Sequence, residues 1–254
     1  MSAAVSTPSA SALAGNVVKT QSLSKRYGDR TVVHDISIKV RTGEIVGLLG
    51  PNGAGKTTTF YMITGIVKPT TGHVFLNDLD IAGWPLHDRA RVGLSYLPQE
   101  SSIFRSLTVL DNLMIILEYT GLKKSERKER AMELLREFRI DHLHKSLASF
   151  LSGGERRRLE LARSLIRHPK FVLLDEPFAG IDPLAVDDIQ SLIQGLREKG
   201  IGILISDHNV RETLSICDRA YLVHQGRIII DGTPEEIVAD PKARSVYLGE
   251  GFSL

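Results

Sequence analysis

The chain has 254 residues, enough for one large domain or two small ones with a full hydrophobic core. Its content, 42% hydrophobic and 24% charged, is that of an ordinary soluble globular protein, and a net charge of +2 gives no global field that would draw nucleic acid. The single cysteine, Cys217, excludes an internal disulfide and suits a reducing cytoplasm.

Residues 1–16 are rich in Ala and Ser and lack the basic start and apolar block of a secretory signal, so they read as a disordered tail ahead of a domain over 17–254. No uncharged apolar run approaches the roughly 20 residues that cross a bilayer. Direct membrane insertion is therefore not expected, and any membrane role runs through a partner. Residues 17–40 alternate apolar and polar side chains around Tyr27-Gly28-Asp29, which predicts two antiparallel strands. Residues 44–49 form a short apolar run before a Gly-rich loop, the pattern of a buried parallel strand. A helix is predicted over 56–66, and further short strands over 69–76 and 79–81.

From about 100 to 165 the pattern turns helical. Thr108 with Asp111 forms a capping box, Ser125 is placed to cap a second helix, and Ser152 a third that runs to about His168 before Pro169. Apolar strands return at 171–174 and 201–206, a hairpin at 221–230, and two short helices over 234–248. The expected fold is α/β: a mostly parallel sheet of P-loop NTPase type, with an antiparallel β subdomain and a helical subdomain near 100–165.

Three blocks carry the chemistry. Gly50-Pro51-Asn52-Gly53-Ala54-Gly55-Lys56-Thr57, followed by Thr58, matches G-x-x-x-x-G-K-[ST] between a strand and a helix. Glycines bring backbone N–H groups close to phosphate oxygens, and the helix adds its positive end. Lys56 is expected to bridge the β and γ phosphates of ATP, and the Thr57 hydroxyl to ligate Mg²⁺. The strand 171–174 delivers Asp175 and Glu176 at its C-terminal edge, Asp175 toward Mg²⁺ and Glu176 toward the attacking water. Leu151-Ser152-Gly153-Gly154-Glu155 opens a helix and forms a second anion site. A second such site in one chain makes sense if it serves the γ-phosphate held by another copy, which predicts a homodimer.

With these blocks in this order, the chain resembles the ATP-binding subunits of ABC transporters from residue 17 to 248. The resemblance implies that Tyr27 stacks on adenine, and that Gln99 contacts Mg²⁺ and the water and senses a membrane partner. It also implies that Asp182 lies on the loop crossing the dimer interface and that His208 reaches the γ-phosphate. Glu155 stands where glutamine is usual, and Phe178 where a small hydroxyl residue is usual. Within the family the likeness is strongest to ATPases of lipopolysaccharide export in Gram-negative bacteria, carried by 47–62, 96–105, 207–213 and 246–250. That implies two integral membrane subunits as partners, no nucleic acid, and a place on the cytoplasmic face of the inner membrane. Phe104, just beyond Gln99, is expected to anchor a partner helix. His142 and His144 read as solvated surface, and Arg156 to Arg158 as an exposed charged face. From the residues alone, an importer ATPase of the branched-chain amino acid type, a soluble ABC ATPase and a monomeric P-loop kinase stay open.

Overall fold

Near-continuous apolar runs build the centre of the molecule. The computed structural model describes residues 15–249 and 251–252, so the expected tail falls almost wholly outside the described residues. Strands β4 (Ile45–Leu49), β8 (Phe171–Asp175) and β9 (Gly202–Ser206) are buried at every position, as strands covered on both faces must be. With β7 (Leu94–Leu97), β10 (Arg219–His224) and β11 (Arg227–Gly232) they form a six-stranded sheet in the order β11-β10-β4-β9-β8-β7. All its pairings are parallel except β10 with β11.

The two-residue period of the strands sends their side chains into two separate cores. Ile45, Val172, Leu174, Ile203 and Ile205 pack with α3 (Val109–Leu117), α4 (Lys124–Glu137), α5 (Gly153–Ser164) and α6 (Pro183–Glu198). Val46, Leu48, Leu173 and Leu204 face the other way, onto α1 (Lys56–Thr64) and an antiparallel sheet. That sheet runs β2 (Arg30–Ile36), β1 (Val17–Tyr27), β5 (Thr71–Leu76), β6 (Leu79–Asp80), with β3 (Lys39–Arg41) also on β1. A smaller core under the end of the chain joins Leu49, Leu222 and α7 (Val210–Leu214) to α8 (Pro234–Ala239) and α9 (Pro241–Ala243). The α/β class, with its mostly parallel sheet, antiparallel sheet and helices, is as the sequence led us to expect. No helix among the described residues is long and apolar enough to cross a membrane.

Several boundaries differ, each for a local reason. Residues 17–41 make three strands, because the chain leaves β2 after a left-handed Asp35 (φ 53°) near its end and pairs with β1 again only at β3, past Ser37 and Ile38. Helix α1 stops at Thr64, where Gly65 adopts φ 84°. Ser125 lies inside the first turn of α4 and does not cap it; the Glu126 carboxylate accepts the Lys123 N–H at 2.7 Å instead. Helix α5 ends at Ser164, four residues early, as Leu165 and Ile166 bond three residues back and His168 turns to φ 49°. The helical run at the chain end closes with a π turn over Arg244–Leu248. Strand β7 and helix α2 (Leu86–Arg91) have no counterpart in the sequence reading, being too short to show a period.

Candidate functional site

The C-terminal ends of β4, β7, β8 and β9 lead into the phosphate loop, Gln99, Asp175 with Glu176, and Asp207 with His208. Between β4 and α1 the loop turns on Gly50 (φ 148°), Gly53 (φ 77°) and Gly55 (φ 101°). A β-carbon on Gly50 would lie 2.1 Å from the Val223 carbonyl oxygen, so only glycine fits there. Pro51, Asn52 and Ala54 complete the loop, and Ala54 is buried. Thr57 is exposed and Thr58 half-buried on the first turn of α1. Lys56 is buried, its Nζ donating to the carbonyls of Gly50 (2.7 Å) and Pro51 (3.1 Å). Burial holds its ammonium below the usual lysine range, against the opposing pull of Glu176, Asp175 and Asp207.

Strand β8 ends on Asp175, 2% exposed, whose Oδ2 accepts from Tyr96 Oη at 3.3 Å. Burial, with Glu176 adding to it, pushes this carboxyl above the usual range, while Lys56 and hydrogen bonding oppose the rise. Its Oδ1 is buried with no partner at full hydrogen-bond geometry among the described residues, the Ser206 hydroxyl being near enough to favour the charged form. At this sheet edge a buried carboxylate oxygen is thus left to meet an oxygen-seeking ligand. Such chemistry fits a small hard cation that keeps part of its water shell.

Glu176 follows in a left-handed conformation (φ 46°), its N–H bonded to Ser206 O at 2.6 Å. That turn aims its carboxylate at two other segments. Gln99 Nε2 donates to Glu176 Oε2 at 2.7 Å, and His208 Nδ1 lies 3.2 Å from the same oxygen. Asp207, fully buried, accepts from the N–H groups of Asn209 (2.8 Å) and Phe178 (3.1 Å), which shapes the turn carrying His208. Phe178 itself is core, 2% exposed, so its bulk is spent inside the protein.

At the start of α5, Ser152 Oγ accepts from Glu155 N–H (3.3 Å), while Glu155 Oε2 accepts from Ser152 N–H (2.8 Å) and Oγ (2.7 Å). Burial alone would raise the Glu155 carboxyl, but the Ser152 bonds, with His142 and Arg158 nearby, hold it low. Ser152, Gly153, Gly154, Glu155 and Asp182 line one cleft that includes none of the phosphate loop. His142 and Arg139 line it too, so His142 faces a candidate site and not simply solvent. Tyr27 stands at the end of β1, 49% exposed, with Lys25 Nζ 5.0 Å from its ring centroid.

The expectation of an exposed face over Arg156 to Arg158 fails at its middle. Arg157 is 5% exposed and pairs with buried Glu160 at 3.0 Å. It also donates to Pro98 O (3.2 Å) and Asp175 O (3.3 Å), while Glu160 Oε1 accepts from Ser101 Oγ (2.7 Å) and Ser102 N–H (3.2 Å). One buried ion pair thus ties α5 to the Gln99 loop and to the end of β8. Its helical spacing on the face that also buries Leu161 was the available signal. Phe104 is 44% exposed beside a groove lined by Leu97, Ser102, Ile116 and Arg163. The Arg163 guanidinium sits 5.1 Å from its ring centroid, and the buried Asn112 amide bonds both its N–H (2.8 Å) and its C=O (3.0 Å).

Comparison with known proteins gives the family. The ABC transporter family model matches residues 33–179, and a branched-chain amino acid ATP-binding cassette transporter model matches residues 227–253. The chain is 57% identical over 235 residues to the lipopolysaccharide export system ATP-binding protein LptB of Escherichia coli (strain K12), covering 92% of this chain and 98% of that protein. It is 56% identical to the protein of the same name from Acidithiobacillus ferridurans, covering 94% and 99% of the two chains. Among solved structures, the ADP conformation of an ATP-binding cassette of an ABC transporter superposes with a TM-score of 0.84 at 29% identity, covering 92% of this chain and 99% of the other. The chain belongs to the ABC transporter family and is an ATP-hydrolysing subunit.

Proposed function

We propose that this chain powers lipopolysaccharide export from the inner membrane of a Gram-negative cell, as a homodimer bound to two integral membrane subunits on the cytoplasmic face. The identity of 56–57% across more than nine-tenths of both chains to proteins named for that export system carries the reading. A branched-chain amino acid importer is favoured only by the match over 227–253.

In the cycle we infer, the phosphate loop amides and Lys56 take the phosphates of ATP, with Lys56 exchanging its two carbonyl partners for β and γ oxygens. Tyr27 stacks on the adenine. Thr57, Asp175 and Gln99 would hold Mg²⁺, which supplies charge neutralisation on the phosphates when bound. Glu176, held by Gln99 and His208, accepts a proton from or orients the attacking water, and His208 stabilises charge on the γ-phosphate. Ser152, Gly153 and Gly154 of one copy close on the nucleotide of the other, with Asp182 at the interface. The separation of their cleft from the phosphate loop within a chain supports this two-copy arrangement. Closure moves the Gln99 region, and Phe104 passes that motion to a membrane partner.

Glu176→Gln should trap an ATP-loaded dimer, seen as a doubled mass in light scattering, with hydrolysis lost. A variant that stays monomeric with ATP and hydrolyses it at the normal rate would remove the role given to Glu176. Co-purification of membrane subunits with the tagged chain, and loss of surface lipopolysaccharide on its depletion, test the export assignment.

A further inference from the structure

Arg89 is fully buried, the largest side chain so enclosed among the described residues, yet among those residues it forms no ion pair with a carboxylate, Asp80 acting on it only from a distance. Its guanidinium instead spends its donors on backbone carbonyls. Nη1 bonds Met62 O (2.7 Å) and Ile63 O (2.5 Å), Nη2 bonds Ala82 O (3.0 Å), and Nε bonds Trp84 O (3.0 Å). Met62 and Ile63 form the last turn of α1, the helix whose first turn follows the phosphate loop. The approach is built in. A β-carbon on Gly65 would sit 2.8 Å from Arg89 Nε and 2.6 Å from Trp84 O. Burial draws the guanidinium down to about 10, so it stays charged at neutral pH.

The helix carries a partial negative charge at its C-terminus and a partial positive charge at its N-terminus. A fixed cation at the C-terminus cancels the negative end and leaves the positive end to act alone on anything at the phosphate loop. The nine residues of α1 set the separation at roughly 14 Å. Low-dielectric protein fills most of that path, since Thr59, Phe60, Met62 and Ile63 are all buried. The same four bonds also stop α1 from sliding or turning when its other end takes up load.

We propose that Arg89 is a positioning residue for nucleotide, which fixes the phosphate-loop helix from its far end and strengthens the positive potential that the loop presents to phosphates. This rests on the phosphate-loop reading given above.

The test uses the whole chain and compares Arg89→Met, which removes the charge, with Arg89→Lys, which keeps it. Affinities for ADP and a non-hydrolysable ATP analogue are measured by calorimetry beside thermal unfolding. Arg89→Met should weaken the triphosphate roughly tenfold and the diphosphate less, in step with their charge. Arg89→Lys should lose thermal stability but keep triphosphate affinity within about threefold. Equal or no change in the two affinities for Arg89→Met would overturn the proposal. If Arg89→Met does not fold, Arg89→Lys decides: a folded variant with a tenfold loss would overturn it. Failure of the underlying reading would look different, since Lys56→Ala would then leave nucleotide binding by the otherwise unaltered chain unchanged.

Discussion

The Arg157–Glu160 pair offers a quantitative test of how the site is held together. Both side chains are at most 6% exposed and their charged atoms are 3.0 Å apart. Removing one partner strands a buried charge, which costs about 3–5 kcal/mol. At roughly 2–4 °C per kcal/mol for a domain of this size, Arg157→Met and Glu160→Leu should each lower Tm by about 6–20 °C. The double variant strands no charge and should be less destabilised than the sum of the singles by at least about 2 kcal/mol. Urea unfolding of the four proteins measures that coupling. Steady-state ATPase assays on the same set should show kcat reduced by roughly a hundredfold in the singles, because the pair anchors the loop carrying Gln99. Additivity within about 0.5 kcal/mol, or unaltered turnover in a folded single variant, would refute the argument.

Two further outcomes follow from burial and backbone geometry. Burial raises the Asp175 carboxyl, so the folded chain holds this proton more tightly than the unfolded chain does. Stability from this group therefore falls as pH rises from the ordinary aspartate value of 3.8 through the raised folded value, and its full cost is carried at neutral pH. Asp175→Asn should raise the Tm of the nucleotide-free chain at neutral pH, with the gain shrinking toward acid; a Tm lowered at neutral pH would contradict this. Gly50→Ala drives a methyl into the Val223 carbonyl, and should cost on the order of 3 kcal/mol or more and abolish nucleotide binding, readable by thermal shift with and without ATP.

The phosphate loop was legible because its eight residues are contiguous and its geometry is set by local φ angles. The same holds for the Ser152–Glu155 cap, which closes within one turn. The buried runs of β4, β8 and β9 announced a doubly covered sheet by composition alone. Short elements such as β7 and α2 were not legible, since four residues give a strand only two periods and six give a helix fewer than two turns.

What the chain determined by itself, then, was its class, its order of motifs and the chemistry of each motif, since all three depend on neighbours along the backbone. Only tertiary packing decided that Glu176 meets Gln99, 77 residues away, and that it meets His208. Packing likewise picked Arg157, from three successive arginines, and Arg89, from a polar stretch, to be buried. The helical spacing of Arg157 to Leu161 marks only a face of α5; that the face is closed over depends on the surfaces packed against it, because desolvation is a property of those surfaces.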